Sequence, residues 1–156
     1  ETLGLDILPI IRPRGGDFVF TEEEIRIMEK DIEIFKNLGV DGVVIGALTK
    51  DNKIDEIAIK RLVHKAEYLN ITFHMAFDEI EDKKAAIDKL VELGINRILT
   101  KGGKKFAMEN LHNLKELVDY AGDRIIILPG GGITRDNYGK IAEYTGAKEF
   151  HGTKIV

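Results

Sequence analysis

The sequence predicts an α/β chain: a (β/α)8 TIM-type barrel, incomplete in this chain, with six parallel strands visible. Three observations support this. Short apolar runs rich in Ile and Val alternate with longer stretches of helical period. A junction of helix end, glycine, polar residue and strand recurs about every 30 residues, as βα units do. Glycines, charges and histidines gather where the strands end, the side on which parallel βα folds hold ligands.

The first strand, Ile7–Ile11, opens onto Arg12-Pro13-Arg14-Gly15-Gly16-Asp17. A helix over Glu22–Leu38 follows. Ile25, Met28, Ile32, Phe35 and Leu38 recur at three- and four-residue spacing, and Thr21 begins a capping box with acids in the first turn. The remaining strands are Gly42–Ala47, Ile71–Ala76, Asn96–Thr100, Ile125–Pro129 and Lys148–Gly152. Their lack of clean polar alternation suits a parallel sheet covered by helices. Further helices are expected over Asp55–Tyr68, Asp82–Leu93, Ala107–Tyr120 and Asp136–Tyr144. Several end on glycine, at Gly39, Gly94, Gly122 and Gly146. A closed barrel needs eight strands. The expectation is one barrel domain over residues 1–156, lacking two N-terminal βα units and the last helix.

Composition narrows the function. At 156 residues and 44% hydrophobic, the chain suits one domain with a sizeable core. A net charge of −4 argues against a nucleic-acid groove, whose footprint is a concentrated basic patch. The absence of cysteine excludes disulfides and thiolate metal ligands. No apolar run approaches the roughly 18 residues that would span a bilayer. A cytoplasmic location is expected, with a small anionic ligand or a metal ion as partner. No nucleic acid or membrane is expected, and homo-oligomer formation stays open.

The strand ends supply the candidates. Arg12 and Arg14, on a turn stiffened by Pro13, can offer forked donors to a carboxylate or phosphate, or can pair with nearby acids. Alternation along ITFHMAFD sends His74 inward and Met75 to the opposite face, and His151 in KEFHGT should also face inward. Two inward histidines suit acid/base work or metal ligation. Asp78 could orient an imidazole or bind a metal, and could equally cap the helix near Asp82. His74, Asp78 and His151 are the candidate catalytic set. Gly102 and Gly103 after one strand, and Gly130, Gly131 and Gly132 after the next, could hold an anion on backbone N–H groups or simply make tight turns. Lys101 could form a Schiff base, but the adjacent Lys104 and Lys105 point to a solvated loop.

At these same segments the sequence resembles the CutC family, named for copper homeostasis. The motifs are IRPRGGDF (11–18), DGVVIGAL (41–48), ITFHMAFD (71–78), RILTKGG (97–103), ILPGGGI (127–133) and EFHGT (149–153). The resemblance implies a (β/α)8 barrel that starts with two further βα units and is associated with copper homeostasis or copper binding. The family's proposed copper(I) ligands are cysteines lying largely in that N-terminal part. Many relatives have Arg where this chain has Met75, and Ser where it has Lys101. Copper is the cofactor implied, without a strong ligand set in this stretch, since copper(I) prefers sulfur. The alternative is a barrel enzyme acting on a small anionic or phosphorylated metabolite.

Overall fold

The structure is a computed structural model that describes residues 4–155. Four short strands, β1 (Gly42–Ile45), β2 (Asn70–Phe73), β3 (Arg97–Thr100) and β4 (Ile126–Pro129), form one parallel sheet in chain order. Five helices accompany them: α1 (Glu22–Asn37), α2 (Glu56–Ala66), α3 (Lys83–Glu92), α4 (Leu111–Ala121) and α5 (Tyr138–Thr145).

The six strands expected from sequence are reduced to four, and proline explains both losses. Ile7–Ile11 does run parallel to β1. The Val44 amide donates to Pro9 O and the Ile11 amide to Val44 O, which leaves an isolated bridge between Ile10 and Val44. The next rung would need an N–H from Pro9, which has none. At the other edge, His151 N donates to Pro129 O, but Pro129 cannot return a bond to the 148–152 segment. Both edges lie along the sheet without becoming regular strands.

The helices form where the apolar period meets a cap. Thr21 Oγ1 accepts from Glu24 N at 3.2 Å while the Glu24 carboxylate accepts from Thr21 N at 2.8 Å, closing the capping box. Ile25, Met28 and Ile32 then face the core. The expected helix over Ala107–Tyr120 is interrupted at Asn110. Its side-chain amide donates to the carbonyls of Lys101, Lys104 and Phe106, and the backbone leaves helical geometry there. A 3-10 turn, Ala107–Glu109, precedes α4. The last helix starts at Tyr138 rather than Asp136, because Asn137 pins the preceding turn through Thr134 N and Gly132 O.

The two sheet faces differ. Val43, Ile45, Ile71, Phe73, Ile98 and Ile127 pack against α1 to α4 in the main core. Val44, Thr72, Leu99 and Leu128 face the other way, into an open cavity of about 770 Å³ that no helix residue lines. One cavity end holds the Arg97–Glu149 ion pair at 2.6 Å. The other, at the strand C-termini, holds the candidate site. No helix is long and apolar enough to cross a membrane among the described residues.

Candidate functional site

His74 is the most enclosed titratable side chain at the mouth, only 5% exposed. Its position follows from β2 ending at Phe73. The strand register continues for one residue, with His74 N bonded to Ile45 O, and the chain then turns into a 3-10 helix, Met75–Glu79. His74 caps that helix: its Nδ1 accepts from Ala76 N at 3.1 Å. The ring packs against Phe18 and Phe73, with centroids 5.0 and 5.9 Å away. Burial, with the Arg12 charge nearby, pulls its pKa down to about 4, so the imidazole is neutral at physiological pH.

Arg12 stands beside it. Its guanidinium carbon lies 4.6 Å from the Phe18 ring centroid, and Nη2 donates to Gly16 O. Arg12 Nε and His74 Nε2 are both buried without a hydrogen-bond partner among the described residues. Arg14 is fully engaged instead. It is bonded to the carboxylates of Glu24 and Asp17 and to Val19 O, and it stacks over Phe20 at 5.0 Å. Two arginines on one turn therefore have different roles: Arg14 fastens the turn to α1, and Arg12 packs on Phe18 beside His74, outside the residues that line the cavity.

Asp78 is half-buried on the 3-10 helix. Its carboxylate accepts from Thr100 Oγ1 and from Lys101 N, which ties the helix to the end of β3. Burial raises its pKa against the opposing pull of these bonds. The helix-capping alternative falls to Asp82, whose side chain accepts from Ala85 N at 3.0 Å. Lys83 Nζ closes the C-terminal end of the 3-10 helix by donating to the carbonyls of Phe77, Asp78 and Ile80.

His151 is exposed and lines the same cavity as His74. The two glycine loops differ. Gly102 donates to Thr100 Oγ1, and a Cβ there would sit 2.7 Å from Leu114; Gly103 faces Asn110. That loop is a packed turn with positive φ at both glycines. Gly130 N bonds to Thr100 O, whereas the Gly131 and Gly132 amides make no backbone or side-chain bond among the described residues. The Lys101 side chain lies along Gly131.

Several residues are missed from sequence. Gly46 matters because the His74 ring occupies the place of its absent side chain; a glycine ending an apolar strand was the available signal. Thr100, completely buried, carries the Asp78 contact. Met75 is corrected outright. Simple alternation turns it away from His74, yet its methyl group lies beside Gly130 together with Leu99, a cavity residue. The strand has ended by then, so the period of two no longer applies.

The comparisons bear on this geometry. The CutC family model matches residues 3–156. The chain belongs to the CutC family. A CutC family protein of Parabacteroides distasonis is 50% identical over 150 residues, covering 96% of this chain and 62% of that protein. The copper homeostasis protein cutC homolog of Mus musculus is 44% identical, over 97% of this chain and 56% of the mouse protein. The crystal structure of a CutC from Streptococcus agalactiae superposes with a TM-score of 0.91 at 47% identity, covering 94% of this chain and 72% of that one. The fold is thus that of CutC, an α/β arrangement of TIM type. The chain spans about three fifths of the length of the first two relatives.

The mouth does not fit copper. There is no cysteine; Met28 is in the core and Met108 packs in a second apolar cluster under α4 and α5, which leaves the Met75 thioether beside Gly130 as a single sulfur near the mouth, too few for a copper(I) site. The His74 Nδ1 lone pair is already engaged. No group of three or more His, Cys, Asp or Glu with metal-binding geometry occurs among the described residues.

Proposed function

We propose that this CutC-family chain serves copper homeostasis by binding a small anionic ligand at the mouth of its sheet, rather than by coordinating copper on the side chains described here. The observation that carries this is the pairing of a cation, Arg12, with a buried neutral imidazole whose outer nitrogen has no partner. The copper association comes from the naming of the family's mouse member. In the same proposal, further βα units close the open face into a (β/α)8 barrel of one domain that works in the cytoplasm. The exposed inner-face residues Ile10 and Ile126 support closure, because such side chains would otherwise stay in water.

The test pairs two measurements. Cells lacking their own CutC protein should regain copper tolerance with the wild-type protein and not with Arg12→Ala. Competition against a copper(I) chelator should reveal no tight site. Restoration by Arg12→Ala, or a tight copper site lost in His74→Ala, overturns the proposal.

A second function, an enzyme acting on a small anionic or phosphorylated metabolite, is favoured by Asp78. It is a half-buried carboxyl with a raised pKa, bonded to the amide of Lys101, whose side chain lies along Gly131; this is the kind of group that serves acid/base chemistry. His151 would be its partner. A phosphate titration followed by amide NMR should shift Gly131 and Gly132 and leave Gly102 and Gly103 in place; no shift at millimolar phosphate removes this function.

A further inference from the structure

Arg12, Gly46 and His74 form one row across three adjacent segments. The bridge Ile10–Val44 and the pair Ile45–Phe73 set the register, and two residues or one residue further along stand these three. Gly46 has no side chain, and a Cβ there would collide with His74 Cε1 and lie 2.7 Å from Nε2. The imidazole therefore lies across β1 at the glycine, leaning from β2 toward Arg12. Phe18 touches both partners, the guanidinium at 4.6 Å and the imidazole at 5.0 Å, and covers them from solvent.

The tautomer follows from the cap. Ala76 N–H donates to Nδ1, so Nδ1 carries a lone pair. A neutral imidazole holds one proton, which must then sit on Nε2. Nε2–H is a donor, and Arg12 Nε–H can only donate. Both are buried and unpartnered. A buried donor left without an acceptor is destabilising, and two in one row imply that an acceptor completes them.

We propose that Arg12 and His74 form a two-donor clamp for the carboxylate of a small organic acid, with His74 acting as a hydrogen-bond donor rather than as a base or a metal ligand. This deepens the anionic-ligand proposal above and rests on it. Two donors match the two oxygens of a carboxylate. A carboxylate brings one negative charge to the single cation Arg12, whereas a phosphate dianion brings a second charge that these two groups leave unneutralised. The clamp also gives Gly46 its purpose, because any side chain there would push the imidazole out of the row.

The test begins with the unmodified protein. Nitrogen-15 spectra of the His74 ring should show Nε2 protonated and Nδ1 not, near neutral pH. Titration with acetate should shift the Arg12 Nε–H and His74 Nε2–H resonances saturably, at lower concentration than inorganic phosphate does. Arg12→Lys, which keeps the charge and loses the fork, should weaken acetate binding about tenfold, as loss of a charge-assisted hydrogen bond does. His74→Gln should restore part of the binding that His74→Ala loses. A proton on Nδ1, or phosphate binding more tightly than acetate, overturns the clamp. If acetate or phosphate shifts only the Gly131 and Gly132 amides, the mouth holds an anion but the clamp is wrong. If nothing shifts, the clamp and the anionic-ligand proposal fall together.

Discussion

The mouth of the sheet has two halves of opposite character. Around β3, polar atoms are matched: Asp78 takes Thr100 and Lys101, Thr100 takes Gly102 N, and Asn110 and Asn113 hold the carbonyls of the loop. Around β1, Arg12 Nε and His74 Nε2 are enclosed and unmatched. The sequence makes both halves look alike, with charges and glycines after each strand. Polarity at a strand end does not by itself mark a binding group; a polar atom that folding has buried and left unpaired does.

The largest effect should come from filling the row. Gly46→Val places carbon against the His74 ring, and overpacking of this kind costs about 1–3 kcal/mol. Urea denaturation should show the loss, and acetate binding should disappear with it. If Gly46→Val is as stable as wild type and still binds, the unmatched half is not organised by the glycine.

Asp78→Ala attacks the matched half. It leaves the buried Thr100 hydroxyl and the Lys101 amide without their acceptor, at about 1–2 kcal/mol. Because the two halves are separate, the acetate-induced shift at Arg12 should survive. Loss of that shift in Asp78→Ala would show that the halves are coupled.

Acid distinguishes the halves by sign. The His74 pKa is lowered in the fold to about 4 from an ordinary 6.5, so between those values the unfolded chain binds the extra proton. Stability linked to His74 is present above about pH 6.5 and is lost as the pH falls toward 4, by roughly 1–2 kcal/mol after allowing for relaxation of the site. The raised pKa of Asp78 acts oppositely, since the fold retains its proton longer as pH rises. Denaturation of wild type and His74→Gln across this range isolates the histidine: the difference between them should change with pH. A constant difference would mean that His74 titrates normally.

The smallest effect separates the two arginines. The Arg14 ion pair with Glu24 is partly exposed, and Arg14→Lys should change stability only slightly in urea denaturation. Arg12→Lys should change stability still less while weakening the acetate response. If Arg14→Lys weakens that response as much as Arg12→Lys, the assignment of the cation to Arg12 fails.

The sequence by itself determined the local features. Helical period and the Thr21 box placed α1, glycines ended α1 and α3, and the strand cores of β1 to β4 lay within the apolar runs read from the chain. These depend on neighbours a few residues apart. The facing of Thr72 also followed from simple alternation, as did the placing of His74 and His151 along one cavity. What needed three dimensions was pairing. Whether Ile7–Ile11 becomes a strand depends on a rung that Pro9 cannot supply to β1. Whether Arg12 or Arg14 is free depends on where Glu24 arrives from α1. Whether Gly46 matters depends on a ring from another strand filling its side-chain space. A residue's chemistry is written in its type, but its availability is set by which distant groups reach it first, and the packed fold decides that.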